Sequence, residues 1–121
     1  MKKLFKNICI ASDHAGFELK EKIKDYLISK NIPVIDLGAY SELSVDYPDF
    51  AKKVTKRLIL KKNDAGILVC GSGTGMAITA NKFKGIRAAQ CYNKNSTILS
   101  RQHNNSNIIC LGSRMLKYKD A

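Results

Sequence analysis

The chain has 121 residues, enough for one domain with its own apolar core, and 45% of its residues are hydrophobic while 26% are charged. These proportions exclude a disordered chain. No apolar run has the length of a membrane span or of a signal-peptide core, so we expect a cytoplasmic protein with no membrane association.

The formal net charge of +11 invites a nucleic-acid-binding interpretation. However, 17 of the 21 basic residues are lysines, no aromatic residues interleave with them, and no nucleic-acid motif is present. We therefore predict a solvated lysine surface that attracts phosphorylated small molecules and binds no nucleic acid. The lysines predicted to lie on helix surfaces include Lys20, Lys22, Lys24, Lys52, Lys53 and Lys56.

Strand and helix patterns alternate along the chain. Short apolar runs predict strands at 8–11, 33–37, 65–69, 86–90 and 108–111. Helices are predicted at 17–29, from Pro48 onward, at 76–83 and at 93–101. In the first of them Leu19, Ile23 and Leu27 share one face, as Phe50, Val54 and Leu58 do in the second. The long connection 38–47 is a candidate functional segment.

This alternation predicts an α/β fold, a doubly wound, Rossmann-like sandwich with a five-stranded parallel sheet, formed by residues 1–121 as a single domain. After the fifth strand and the strand-end residues 112–114, only residues 115–121 remain. We therefore expect a bare apolar face beside Ile108, Ile109 and Leu111, which a second copy covers in at least a homodimer.

The third strand ends at Cys70, and glycines then occupy every second position, at 71, 73 and 75, before a helix begins. Free N–H groups and the helix dipole make such a turn an anion site, and a thiol at its lip suits a base or a nucleophile. Met76 breaks the dinucleotide fingerprint G-x-G-x-x-G, and no Lys-Ser/Thr completes a P-loop. The alternative is a tight turn that merely accommodates glycine.

The four cysteines (Cys9, Cys70, Cys91 and Cys110) have no C-x-x-C spacing, which argues against zinc and against a redox dithiol. Cys9 and Cys110 lie inside apolar runs and are predicted to be buried. We predict no metal site.

Ligands of doubly wound sheets bind outside the carboxyl ends of the strands. Asp13 and His14 follow the first strand, where a carboxylate also serves as a helix cap. His103 ends the fourth helix among polar amides, and an exposed helix-end histidine is the alternative to a functional one.

Six segments, in order and with matching spacing, resemble the B-type ribose-5-phosphate isomerases, a family that includes the galactose-6-phosphate isomerase subunits. They are residues 12–16, 46–48, 70–75, 80–82 together with 85–88, 100–104 and 112–114. By this resemblance Cys70 is the proton-abstracting base, Met76 stands where another branch has a glutamate base, and His103 donates a proton that opens the sugar ring. The implied substrate-binding residues are Asp13, His14, Gly71, Ser72, Gly73, Thr74, Gly75, Asn104 and Arg114, with Asp46 and Tyr47 as further candidates.

The implied activity interconverts ribose 5-phosphate and ribulose 5-phosphate in the pentose phosphate pathway, without a cofactor. A six-carbon sugar phosphate, such as galactose or allose 6-phosphate, and a non-catalytic sugar-phosphate-binding role remain alternatives. The resemblance also implies a homodimer or dimer of dimers whose sites are shared between subunits. Family members continue into a further helix with phosphate-binding arginines. Relative to them we expect this chain to be short at its carboxyl end and to bind phosphate weakly.

Overall fold

The computed structural model describes residues 5–121. Residues 1–4, part of the segment on which the signal-peptide prediction rests, lie outside the described residues. The strands are β1 (Ile8–Ser12), β2 (Val34–Asp36), β3 (Ala65–Cys70), β4 (Ala88–Gln90) and β5 (Ile108–Gly112). The helices are α1 (Phe17–Ser29), α2 (Tyr47–Ile59), α3 (Thr74–Ala80) and α4 (Lys94–Asn104), and a 3-10 helix follows at Tyr118–Asp120.

All five strands are parallel and are hydrogen-bonded in the order β2-β1-β3-β5-β4, so the predicted α/β fold with a five-stranded parallel sheet is confirmed. β3 lies at the centre, where Val69 pairs with Ser12 of β1 and Cys70 pairs with Gly112 of β5. Every residue of β3 is buried, as its continuous apolar run predicts. The ends of β1, β3 and β5 thus meet at one edge of the sheet, which we call the carboxyl edge.

Apolar cores cover both faces of the sheet. On one face, Val54 of α2 and Leu68 of β3 belong to the same buried cluster. On the other face, the predicted stripe of α1 is buried, and its residues are Leu19, Ile23 and Leu27. None of the helices over residues 5–121 combines the length and apolar character that a bilayer crossing needs.

The bounds of α1 match the prediction, whereas α3 begins two residues earlier than predicted, at Thr74, and ends at Ala80. Asn81 explains the early end. Its side chain accepts the N–H of Ala88 and donates to the carbonyl of Ala88, both at 2.8 Å. This side chain supplies hydrogen-bond partners to the edge strand β4, which begins at Ala88 rather than at the predicted position 86.

Lys20 does not belong to the exposed lysine surface, and the prediction was wrong for it. Its side chain is fully buried, and Nζ donates to Glu21 at 3.0 Å and to both carboxylate oxygens of Asp36 at 2.8 and 2.6 Å. Burial raises the pKa of Asp36, but hydrogen bonds from Lys20, the Gly38 N–H and Lys24 outweigh it and hold the pKa below its ordinary value. This network fixes the start of the loop that follows β2.

An apolar groove of about 630 Å³ lies beside β5 on the α1 face of the sheet. Ile23 of α1, Ile98 of α4 and the residues from Tyr118 to the carboxyl end line it. On this face Leu111 is only 3% exposed and Ile109 is half-buried, while Ile108 packs in the cluster on the other face and is 1% exposed. The expectation of a bare strand face was therefore wrong for Ile108 and Leu111, whereas Ile109 is partly open to the groove.

Candidate active site

A cavity of about 270 Å³ opens at the carboxyl edge. It is lined by Asp13, Tyr47, Cys70, Gly71, Ser72, Gly75, Arg114 and Met115, and all of these except Met115 are residues that the sequence predicts for the site. Asp13 follows β1, Cys70 ends β3 and Arg114 follows β5, so the parallel register brings them together. The cavity is smaller than the groove beside β5, but it combines a thiol, a carboxylate and a guanidinium.

Cys70 differs from the other cysteines in how its sulfur is hydrogen-bonded. The N–H of Gly73 donates to Cys70 Sγ at 3.1 Å, which stabilises negative charge on the sulfur. The thiols of Cys9 and Cys91 instead donate to backbone carbonyls. Cys9 and Cys110 are fully buried, as predicted; burial raises the pKa of Cys9 to about 11 and also raises the pKa of Cys110. Cys70 is thus the thiol best suited to act as a base.

Residues 71–75 form the glycine loop, and each of its three glycines is required for a different structural reason. A side chain at Gly71 would meet Arg114 Nη1 at 3.1 Å, and one at Gly75 would meet the ring of Tyr47 at 2.7 Å. Gly73 has φ +84°, a conformation that other residues rarely adopt. Two of the glycines thus make room for side chains that line the cavity. The structure therefore favours glycines that the site requires over a tight turn that merely accommodates them.

The glycine loop also offers hydrogen-bond donors to an anion. Gly71, Ser72 and Gly75 line the cavity, and their N–H groups have no acceptor within residues 5–121. The Thr74 N–H is occupied, because it donates to Ser72 Oγ at 3.2 Å. Unpaired N–H groups at the start of a helix suit an oxyanion such as an enediolate.

Asp13 and His14 each make a structural hydrogen bond, and only Asp13 of the two lines the cavity. Asp13 is 7% exposed, and its Oδ1 accepts the N–H of Gly16 at 3.0 Å. Gly16, and not Asp13, is the N-cap residue of α1, so this bond belongs to the turn before the helix and the capping alternative was wrong. His14 Nδ1 accepts the N–H of Val45 at 3.1 Å. The neutral imidazole therefore carries its proton on Nε2, which is a donor for a substrate oxygen. Over residues 5–121, no three His, Cys, Asp or Glu side chains group as metal ligands.

His103 and Asn104 lie at the opposite edge of the sheet. They form the last turn of α4, which leads to Ile108 at the start of β5, and Ile108 pairs with Gly66. Gly66 precedes Cys70 by four residues, a separation of about 13 Å along a strand. The imidazole of His103 is exposed at that edge. A single chain therefore does not bring these two predicted site residues to Cys70.

Asp46 and Thr74, which the sequence predicts for the site, are also absent from the lining of the cavity. Asp46 is the N-cap residue of α2, although its side chain makes no capping hydrogen bond. Thr74 Oγ1 accepts a hydrogen bond from Gln90 Nε2 at 2.8 Å, and Gln90 Nε2 also donates to the Ser72 carbonyl at 3.0 Å. Gln90 is not among the site residues that the sequence predicts. The one signal for it in the sequence is a polar residue at the end of a predicted strand.

Comparisons with known proteins identify the family of this chain. The family model described as Ribose/Galactose Isomerase matches residues 8–121. The chain belongs to this family. Among curated relatives, ribose-5-phosphate isomerase B of Escherichia coli (strain K12) is 44% identical over 111 residues, which are 92% of this chain and 74% of the relative. A putative sugar phosphate isomerase of Rickettsia bellii is 45% identical over 93% of this chain and 78% of its own length.

Solved structures of the Ribose/Galactose Isomerase family also superpose closely on this chain. A ribose 5-phosphate isomerase from Thermotoga maritima gives a TM-score of 0.93 at 54% identity, covering 94% of this chain and 79% of that one. Ribose-5-phosphate isomerase B from Mycoplasma genitalium, solved with bound ribulose-5-phosphate, gives 0.87 at 44% identity, covering 94% and 76%.

Proposed function

We propose that residues 1–121 form a single sugar-phosphate isomerase domain that interconverts ribose 5-phosphate and ribulose 5-phosphate through an enediolate. The observation that carries the proposal is the Cys70 sulfur, which accepts the Gly73 N–H inside a cavity lined by further free N–H groups. Family membership and the relatives named ribose-5-phosphate isomerase B support the choice of substrate. Phosphorylated sugars are charged and do not cross membranes, which supports a cytoplasmic site of action.

The reaction moves one proton between adjacent carbons. Cys70 thiolate takes the proton from C2 of the open-chain aldose, and the electron pair passes toward the C1 aldehyde to give an enediolate. The thiol then returns the proton to C1, while the O2 hydroxyl proton is transferred to O1, which leaves the C2 ketone. N–H groups of Gly71, Ser72 and Gly75 are available to hold the enediolate oxygen, and loss of one such donor typically costs about 2.7–4 kcal/mol.

Cationic and donor groups around the cavity suit the rest of the substrate. Arg114 lies against Gly71, and a guanidinium binds phosphate or hydroxyl oxygens with paired hydrogen bonds. His14 presents Nε2 as a donor. The net charge of +11 raises the encounter rate with a phosphorylated sugar.

The test is an isomerase assay on Cys70→Ala, with Cys9→Ala as the matched control on a buried strand thiol. Cys70→Ala should lower kcat for ribose 5-phosphate by about 10²–10⁴-fold, because the proton loses its acceptor. Cys9→Ala should keep kcat and lose stability. Wild-type turnover of galactose or allose 6-phosphate in place of ribose 5-phosphate would reassign the substrate, and activity above a few per cent in Cys70→Ala would remove the thiol from the mechanism.

We also propose that a second copy of the chain completes each site. The resemblance assigns ring opening to His103 and substrate binding to Asn104, yet both lie at the opposite edge of the sheet from Cys70 in one chain. A homodimer in which α4 of one copy faces the carboxyl edge of the other would supply both residues. Such an arrangement is isologous and gives two equivalent shared sites.

Subunit complementation tests the shared site. Cys70→Ala and His103→Asn chains are each expected to be inactive as homodimers. When the two variants are mixed and allowed to exchange subunits, random pairing makes about half of the dimers heterodimers, and each heterodimer has one intact site of two. The mixture should therefore regain about one quarter of wild-type activity. A mixture that stays as inactive as its parents, although subunit exchange is demonstrated, would contradict sharing. A monodisperse monomer with full activity would contradict it equally.

A further inference from the structure

Gln90 hydrogen-bonds the glycine loop from the edge strand β4, which lies beyond β5 in the sheet. It ends the edge strand β4, and its Nε2 donates to the Ser72 carbonyl at 3.0 Å and to Thr74 Oγ1 at 2.8 Å. The glycine loop crosses above the end of β5 to reach α3. Gly112 shows how close this crossing is, because a side chain there would meet the Ser72 carbonyl at 2.6 Å. β5 thus supports the glycine loop from below, and Gln90 holds its outer side.

The bond to Ser72 bears directly on the thiol. The Ser72 carbonyl and the Gly73 N–H belong to one planar peptide unit and point in opposite directions from it. The carbonyl end accepts from Gln90, and the N–H end donates to Cys70 Sγ at 3.1 Å. Both ends of one rigid group are therefore fixed, one by Gln90 and one by the sulfur.

The peptides on either side are held by other bonds, because the Gly71 carbonyl accepts the Arg114 N–H at 3.0 Å and the Gly73 carbonyl accepts the Ala77 N–H at 3.1 Å. The Ser72–Gly73 peptide itself is hydrogen-bonded by Gln90 and Cys70. Ser72 lies between Gly71 and Gly73, and glycine permits backbone orientations that other residues do not. If the peptide turned over, the Ser72 carbonyl oxygen would face Cys70 and repel its ionised form. The titratable and charged groups beside Cys70 are Asp13, Tyr47 and Arg114 in the cavity lining, and Cys110, whose charge interacts with that of Cys70. None of them hydrogen-bonds the Ser72–Gly73 peptide within residues 5–121.

We propose that Gln90 is a positioning residue for Cys70, holding the Ser72–Gly73 peptide with its N–H toward the sulfur and so sustaining the thiolate. The role of this thiolate as a base rests on the proposed function. The orientation itself does not, and it is measurable without substrate. Gln90 is not among the residues that line the cavity and makes no hydrogen bond to the sulfur, so its effect passes through the glycine loop, at the Ser72 carbonyl and at Thr74.

The test is a pH titration of thiolate absorbance near 240 nm, taken as the difference between chains with Cys70 and chains with Cys70→Ser. Burial raises the pKa of Cys9 to about 11 and also raises the pKa of Cys110, which keeps both largely out of the titration range. Gln90→Leu removes the donor at similar size. It should raise the pH midpoint by about one unit, the size expected from one hydrogen bond to a charged group. It should also lower kcat at pH 7 by about tenfold with KM nearly unchanged.

Asn81→Ala is the matched control, because it releases the opposite end of β4 through the two bonds to Ala88. It should leave the midpoint unchanged; an equal rise would assign the effect to a loosened strand and overturn the proposal. If Gln90→Leu does not fold, Gln90→Met keeps the length without the donor and without a new charge, and it must raise the midpoint as well. A midpoint within 0.2 unit of wild type, on the order of the error of such a titration, in the folded variant overturns the proposal. If Gln90→Leu shifts the midpoint but the wild-type protein has no isomerase activity, the result would support the positioning role of Gln90 and refute the proposed function.

Discussion

Gly112→Ala should displace the glycine loop while leaving the sheet intact. The added Cβ would lie 2.6 Å from both the carbonyl carbon and the oxygen of Ser72, and 2.9 Å from Met115 Cγ. The Met115 side chain is able to rotate away, whereas the Ser72 atoms are backbone. To reach an ordinary contact distance of 3.4 Å, the glycine loop must retreat by about 0.8 Å. Gly112 is not among the positive-φ residues, so alanine accepts its backbone conformation.

A displacement of this size acts on catalysis more than on folding. The displaced Ser72 peptide carries the N–H that donates to Cys70, and misplacement by about 1 Å is worth about 10²-fold in rate. Overpacking costs about 1–3 kcal/mol in the free energy of unfolding. We therefore expect kcat for ribose 5-phosphate to fall by about 10²-fold, with a moderate drop in the melting temperature.

Gly66→Ala provides the control for this prediction. Its Cβ would meet Val54 Cγ1 at 2.4 Å in the core, at the other end of β3 from Cys70. The cost in unfolding free energy is again about 1–3 kcal/mol, but the glycine loop is not touched. Thermal unfolding and kcat are measured on both variants at a temperature where both are folded. If Gly112→Ala keeps kcat within about threefold of wild type, or if both variants lose activity equally, the steric argument is refuted.

Two further predictions concern buried groups. Cys110→Ala should cost about 1–2 kcal/mol in unfolding free energy, because it removes a fully buried sulfur, and should leave kcat unchanged; loss of activity would implicate a second thiol. Asp36→Asn should lower the free energy of unfolding, measured by chemical denaturation, by about 3 kcal/mol. This is the low end for breaking a buried ion pair, because Lys20 retains its ion pair with Glu21. Since the folded pKa of Asp36 is depressed, its contribution is fully present above the unfolded value of about 3.9 and is lost as the pH falls from there through the lower folded pKa. Wild type and variant should therefore converge only below the folded pKa, and a difference that stays constant with pH would contradict the assignment.

The sequence predicts those parts of the fold that depend on neighbours along the chain. The apolar run that ends at Cys70 predicts a buried strand, and the spacing of Leu19, Ile23 and Leu27 predicts the buried face of α1. Lys20 shows the limit of this reasoning. A lysine between polar residues on a helix is normally exposed, and its burial depends on Asp36, which lies at the end of a different strand.

The candidate site shows the same limit for the order of the strands. The alternation of strands and helices predicts that Asp13, Cys70 and Arg114 reach one edge, because parallel strands always bring their ends together. It does not predict that β5 lies between β3 and β4. That order makes the glycine loop cross β5, requires Gly112 beneath it and brings Gln90 within reach of Ser72.

The proposed sharing of the site between two copies rests on the position of His103. Its placement follows from the parallel connection, since a helix that leads into β5 must end at the edge where β5 begins. The same rule that brings Cys70 and Arg114 together therefore separates His103 from them. Any reaction that uses Cys70 and His103 on one sugar must take them from two copies of the fold. Activity in this protein is accordingly expected to depend on protein concentration wherever the dimer dissociates, and kcat that stays constant through dissociation would show that one copy suffices.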